Sequence, residues 1–384
     1  MQKQQAIGSH EKKQRDSNIE LFRIVSMLLI IAHHYVVNSG LTGLYDFSNV
    51  TGNMVFLQIF SAFGKMGINC FTLITGYFMI HSSAASHPRR VLKLFLEVLL
   101  YRFVIHIILF FGGYADWFSA KYIVTEVLFS DIFYANRDYV ASLLCFYLLI
   151  PFLNRFIKAL TQRQLLRFLG IVLVIYSVIA TFSVNNDTWN YIPWLGVMYC
   201  IGAYIRLYPC PVFDRKSVTG TLAAGAIILM IASILAIDLV GVRFGFTQYH
   251  YMCSNANKLL PLVASVALFL LFRSLPMGYS RIINTLAASA FGVLMIHGNS
   301  ALMHQWLWKD TLQNTAVYES PYLVLHAVLS VLGIYLICAG IDMLRIRWIE
   351  SPFFAWYAKK EDKLRETFGR AERKMASVLT DCKE

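Results

Sequence analysis

Charge is scarce in this 384-residue chain: Asp, Glu, Lys and Arg together make up 15% of it, against about 25% in an ordinary soluble domain. Apolar residues reach 57%. That shortfall excludes a water-soluble globular protein and points to a polytopic membrane protein. Cysteines are few, and Cys70, Cys145, Cys200, Cys210, Cys253, Cys338 and Cys382 lack metal-ligand spacing, so they read as small apolar fillers with no metal centre and no disulfide framework. No internal repeat or low-complexity tract is visible. No cleavable signal sequence is expected, because polar residues precede the first apolar run and no small-residue cleavage site follows it.

What is present in quantity is apolar sequence long enough to cross a bilayer. Ten stretches qualify, at roughly 19–39, 54–80, 91–113, 139–155, 165–183, 192–208, 218–240, 259–275, 283–305 and 321–342. The expected fold is therefore all-α, with about ten transmembrane helices. It divides into an N-terminal segment 1–18, a membrane domain 19–342 and a tail 343–384. With the N-terminus inside, 26 of the 34 Lys and Arg residues fall in the inside segments and five outside, which predicts both termini in the cytoplasm. The net charge of +12 is explained by that asymmetry, so no nucleic-acid partner is expected. The tail alternates charges, as in KKEDKLRETFGRAERK, and reads as a short amphipathic or solvated helix at the membrane surface.

The most informative run is ELFRIVSMLLIIAHH, from Glu20 to His34. Ionisable side chains at membrane depth are costly and tend to be kept where they pair or do chemistry. Eleven residues advance a helix by about 16.5 Å and return it to within about 20° of its starting direction, so Arg23 and His34 share a face. His33 points about 80° away from Arg23, toward lipid or a neighbouring helix. Glu20, one turn before Arg23, is placed to pair with it. The plainer alternative has Arg23 snorkelling to the headgroups and the histidines bonding neighbouring helices.

Four further segments carry polar groups inward. In GKMGINCFTLITGYFM, Lys65 and Asn69 are four residues apart and share a face, while Thr72 and Thr75 bond back to their own helix or serve a site. In HPRRVLKLFLEVLLYRF, Arg89, Arg90 and Lys93 stand at the cytoplasmic mouth, and Glu97 is placed to pair with Arg102. In ASAFGVLMIHGNSALMHQW, His297 is expected at a depth close to that of His34, facing it across the bundle or bonded to a carbonyl. After the last stretch, Trp348 is expected at headgroup level, Pro352 is expected to break the helix, and Glu350 is placed to pair with a cytosolic arginine.

These residues resemble the bacterial membrane acyltransferase-3 family. Its first helix opens on a pattern like LDxLR and reaches a histidine after ten further residues; here Ile19 to Arg23 and His34 correspond, with Glu20 where Asp is usual. GINCFTLITGYFM is similar to the family's next motif, with Thr75 at the usual Ser position. PRRVLKLF resembles its basic turn, YLLIPFLN a fourth helix ending in Pro, AASAFGVLMIHGN its later histidine segment and IESPF its exit from the last helix. Coverage runs over about residues 15–357. Tyr139 stands where an aromatic, usually Trp, opens the fourth helix, and Lys93 stands where a second arginine is frequent.

The resemblance implies transfer of an acyl group, most often acetyl from acetyl-CoA, to a hydroxyl of a cell-surface or lipid-linked carbohydrate at the bacterial inner membrane, with membrane lipids as surroundings and no metal. On that reading His34 is the general base, worth typically 10²–10⁴-fold in rate, because burial disfavours a charged imidazole. Asn69 or Lys65 would stabilise the oxyanion. Arg23 would hold the pantetheine or phosphate part of the donor, with Arg89, Arg90 and Lys93 at its nucleotide end. Thr75, Glu20, His297 and Glu350 are further site candidates. A transporter or flippase of lipid-linked saccharides is the competing class, and a sensory or scaffold protein with internally paired charges is a third.

Overall fold

The computed structural model describes residues 16–82, 87–128, 138–183 and 189–360. The N-terminal segment up to residue 15 and the charge-alternating tail from 361 to 384 therefore lie outside the described residues. Every regular element among those described is helical. In chain order the main helices are α1 (Ser17–Val37), α2 (Gly52–Ala62), α3 (Gly64–Met79), α4 (His87–Phe111), α5 (Tyr139–Ala159), α6 (Gln162–Phe182), α7 (Tyr191–Leu207), α8 (Lys216–Leu239), α9 (Leu259–Ser274), α10 (Arg281–Ala288), α11 (Ala290–His297), α12 (Ala301–Thr311) and α13 (Leu323–Arg345).

Seven helical runs among the described residues are long and apolar enough to cross a bilayer, or eight if a broken pair counts as one span. All ten expected stretches are helical, but the count of ten spans is not reached. α7 and α9 have 17 and 16 residues, which at 1.5 Å per residue reach about 25 Å, short of the roughly 30 Å hydrocarbon core. Their apolar character serves protein packing: Trp194, Leu195, Met198 and Tyr199 of α7 and Phe269 of α9 are buried.

The stretch expected as one helix over 283–305 is also broken. α10 and α11 together meet α12 at 92°. The sequence His297-Gly298-Asn299-Ser300 supplies the break: Gly298 ends α11, and the Ser300 hydroxyl caps α12 by accepting from the Met303 amide at 3.2 Å.

Two prolines expected at helix ends lie inside helices. Pro151 sits within α5, which continues to Ala159. Pro352 follows a wide π-type turn at Ile346–Glu350, and the α13 rod runs on to Lys360. That turn already displaces the i to i−4 ladder, so the amide Pro352 lacks is not missed.

α1 occupies the middle of the bundle, touching α2, α3, α9, α10, α11 and α13. Ile19 and Phe22 join one apolar cluster with α3, α7 and α9, whereas Met27, Ile30 and Ile31 join a second with α11 and α13. Its first turn is fastened down: the Ser17 hydroxyl donates to Asn284 Oδ1 and accepts from the Ser280 amide, and Asn18 donates to the Arg273 carbonyl at 3.0 Å.

α3 lies beside α1 and α7 with almost no side chain between the backbones. A Cβ on Gly76 would meet the Tyr199 carbonyl, and one on Gly202 would meet the Leu73 carbonyl. Small residues permit this close approach, a common device in membrane helix packing. Gly76→Ala is expected to push α7 off α3 and destabilise the protein by about 1–3 kcal/mol, measured as a lowered thermal midpoint in detergent. An unchanged midpoint would contradict the contact.

Candidate active site

His34 lies in the last turn of α1 and His297 is the final residue of α11, so the crossing of two helix ends brings them together. Their rings are joined by a hydrogen bond between His34 Nδ1 and His297 Nε2 at 3.1 Å. The far side of His297 fixes its direction. His297 Nδ1 is 2.6 Å from the Val293 carbonyl oxygen, which can only accept, so that nitrogen carries the hydrogen. In the uncharged ring His297 Nε2 is then a lone pair and accepts from His34 Nδ1. His34 is thereby left with its own lone pair on Nε2, the tautomer a base requires.

Burial differs along this chain. His297 is 0% exposed, whereas His34 keeps partial exposure. Gly298 lies against His34: a Cβ there would sit in ordinary contact, 3.5 Å from His34 Cε1. A third ring, His304 of α12, stands 6.1 Å from His34 and accepts a 3.4 Å bond from the Asn38 amide. The bend before α12 delivers His304 to this place.

His33 turns toward α2 and α3 rather than to lipid. Its Nδ1 donates to the Ser61 carbonyl at 2.9 Å, and its Cβ occupies the space that Gly64 leaves open. It lines a cavity of about 490 Å³ together with Tyr45, Lys65, Tyr249 and His250. The two histidine rings are 6.0 Å apart.

Two further cavities lie toward the opposite end of α1. Arg23, Thr75, Tyr139 and Tyr147 line a small one of about 100 Å³, with Leu94 and Leu294 among its apolar walls. Arg23 lies 3.4 Å from the Glu20 carboxylate, as the spacing of the two residues suggested. Thr75 bonds back to the Phe71 carbonyl at 2.8 Å while facing the same cavity. At the basic end, Arg89, Arg90, Lys93, Glu350 and Phe354 line an open cavity of about 590 Å³. The Arg89 guanidinium lies 5.3 Å over the Phe354 ring. Lys93 is bonded to Glu350 at 2.6 Å, so Arg89 and Arg90 are the cations of this mouth outside ion pairs among the described residues.

Beneath that mouth sits a buried charge cluster. Arg345 bonds Asp342 at 2.7 Å, Glu350 at 2.8 Å and Glu97 at 3.0 Å, and the Tyr101 hydroxyl donates to Asp342 at 2.6 Å. Glu350 thus pairs with an arginine as expected, but Glu97 pairs with Arg345 rather than Arg102. Asp342 also packs against Gly292 on α11, where a Cβ would collide with its carboxylate. The cluster therefore braces the helix that carries His297.

The structure joins His34 to His297 and gathers Arg89, Arg90, Lys93 and Glu350 into one mouth. It does not bring Asn69 to the histidines: that side chain is 0% exposed, donates to the Ala256 carbonyl and accepts from Trp194 Nε1, both at 2.8 Å. Lys65 faces the cavity of His33. His304, Asp342, Arg345 and Tyr101 carry no mark in sequence reasoning, although the Gly-Asn-Ser break would have revealed the turn that positions His304. Among the described residues no three His, Cys, Asp or Glu side chains converge as metal ligands.

No curated protein and no solved structure matches the chain. A family model described as an acyltransferase domain matches residues 16–340, from the N-cap of α1 to within α13, and so spans both histidines and Arg23, Arg89, Arg90 and Lys93. A multi-pass membrane architecture and this match over most of its length place the chain in the acyltransferase-3 family.

Proposed function

We propose that the protein transfers an acyl group, acetyl from acetyl-CoA in the simplest case, to a hydroxyl of a cell-surface or lipid-linked carbohydrate, with His34 as the general base. One observation carries this reading: the Val293–His297–His34 chain leaves His34 Nε2 with an unshared lone pair at a partly exposed position. A sugar hydroxyl is a weak nucleophile, and removal of its proton during attack on the thioester carbonyl lowers the barrier. The attack forms the ester C–O bond, the C–S bond breaks, and the proton on His34 passes to the departing thiolate. Both histidines lie at carbonyl ends of helices, where the partial negative charge favours a cationic ring in the transition state.

The donor side of the proposal rests on the basic mouth. Arg89 and Arg90 supply guanidinium forks for coenzyme A phosphates, and Arg23 lines the next cavity along the bundle, at about 16.5 Å from His34 along α1. A pantetheine arm is an extended chain suited to such a path. Positive-inside topology would set this end in the cytoplasm, the donor's compartment, in a bacterial inner membrane.

The test is incubation of the purified protein in lipid with labelled acetyl-CoA and a surface polysaccharide or its lipid-linked precursor, with mass spectrometry of the sugar. Label in an ester on the carbohydrate supports the proposal, and its absence across acceptors while the lipid-linked saccharide crosses the bilayer would favour transport. In the same assay, Arg89→Gln with Arg90→Gln is expected to raise the donor KM roughly tenfold or more, since charge-assisted bonds are each worth about 1.5–3 kcal/mol. The acceptor KM and kcat should stay near those of the unaltered protein.

A further inference from the structure

Lys65 is a cation on a membrane-spanning run, and no carboxylate stands within ion-pairing distance of it among the described residues. Its amino group makes no hydrogen bond to the protein there either. A lysine is rarely kept at such a place without a partner. The cavity it lines, about 490 Å³, is of ligand size.

The rest of the lining has the chemistry of a sugar site. Tyr45, Phe47 and Tyr249 form an aromatic group with ring centroids 5.7–6.5 Å apart, and ring faces of this kind pack against the C–H faces of a pyranose. Thr42, Gln248, His250 and Ser254 add donors and acceptors around the same space. His33 spends its Nδ1 on the Ser61 carbonyl, so its Nε2 is left as an acceptor. The carboxylates on neighbouring elements, Asp46 and Asp238, bond to Ser48 and Gln58, and neither lines the cavity.

The structure assigns this cavity as the acceptor site, for a sugar bearing an anionic group that Lys65 pairs with, beside the hydroxyl offered to His34. This rests on the acyl-transfer reading: His34 does not itself line the cavity, and His33, which does, has its ring centroid 6.0 Å from that of His34. Lys65 is thereby an acceptor-binding residue rather than the oxyanion stabiliser its position on α3 suggested.

The test separates the two levels by measuring binding without donor. The full-length protein in nanodiscs is titrated with three fluorescent disaccharides of matched linkage, one neutral, one carrying a uronate carboxylate and one a phosphate. Binding at least tenfold tighter for one or both anionic probes than for the neutral one is expected, and which anion gains distinguishes carboxylate from phosphate. Lys65→Gln should bring the probes within about twofold of each other, and Lys65→Arg should restore the preference. Equal binding of all three by the unaltered protein, or a preference that survives Lys65→Gln, overturns the assignment. With turnover, Lys65→Gln should raise the acceptor KM with kcat held; an equal fall in kcat on neutral and anionic acceptors would instead return Lys65 to the oxyanion. Failure of acyl transfer with intact anion preference would sink the function and leave the binding site standing.

Discussion

His34→Ala is expected to lower acyl transfer by about 10²–10⁴-fold, the usual worth of a positioned general base, with donor affinity little changed because the basic mouth is remote from the ring. The measurement is single-turnover transfer from labelled acetyl-CoA, paired with donor binding by calorimetry. His297→Phe keeps the volume of the neighbour but removes the acceptor that holds His34 Nδ1–H. It should cost less than His34→Ala, since His34 can still act whenever its tautomer is right. A variant lacking His34 that retains full turnover would end the assignment, and so would a His297→Phe variant slower than His34→Ala.

Arg345→Leu should be the most destabilising substitution among these. It removes the one cation shared by Glu97, Asp342 and Glu350, and leaves carboxylates buried at 7% and 0% exposure without it. Breaking a buried pair by deleting one partner costs about 3–5 kcal/mol, much of it the penalty of the stranded charge. The thermal midpoint in detergent should fall sharply, and α11 should loosen with it, because Asp342 packs against Gly292. Adding Glu97→Gln to Arg345→Leu should recover part of the loss. A double variant no more stable than the single one would show that Glu97 is not strained by the missing guanidinium.

Residues that break a local pattern were legible in the sequence, and those defined by distant partners were not. Arg23 and His34 stand out because charge and imidazole interrupt an apolar helix, and the 3.6-residue period puts them on one face. His297 stands out for the same reason, and the structure joins it to His34. Arg345 shows no such contrast: it sits at the end of an apolar run where arginines ordinarily anchor a span, and its partner Glu97 lies 248 positions away. The expected count of about ten spans is matched by seven or eight helical runs of sufficient length among the described residues, because burial against protein and burial against lipid select the same side chains. Trp194 and Met198 of α7 are as apolar as Leu325 and Leu329 of α13, yet the former face protein and the latter are exposed on its surface. Asn69 was drawn into the site by the helix face it shares with Lys65, whereas its partners, Trp194 and Ala256, come from α7 and the segment before α9.

The histidine pair terminates at a main-chain oxygen, and that ending governs the traffic of hydrogen. The Val293 carbonyl has nothing to hand on and no second titrating group behind it in the chain of bonds. On the proposed mechanism, a hydrogen taken up at His34 Nε2 would find no exit through His297 and would wait at that nitrogen for the leaving sulfur. Each cycle of ester formation would then return the ring to its starting form with no proton relayed through the Val293 end of the chain.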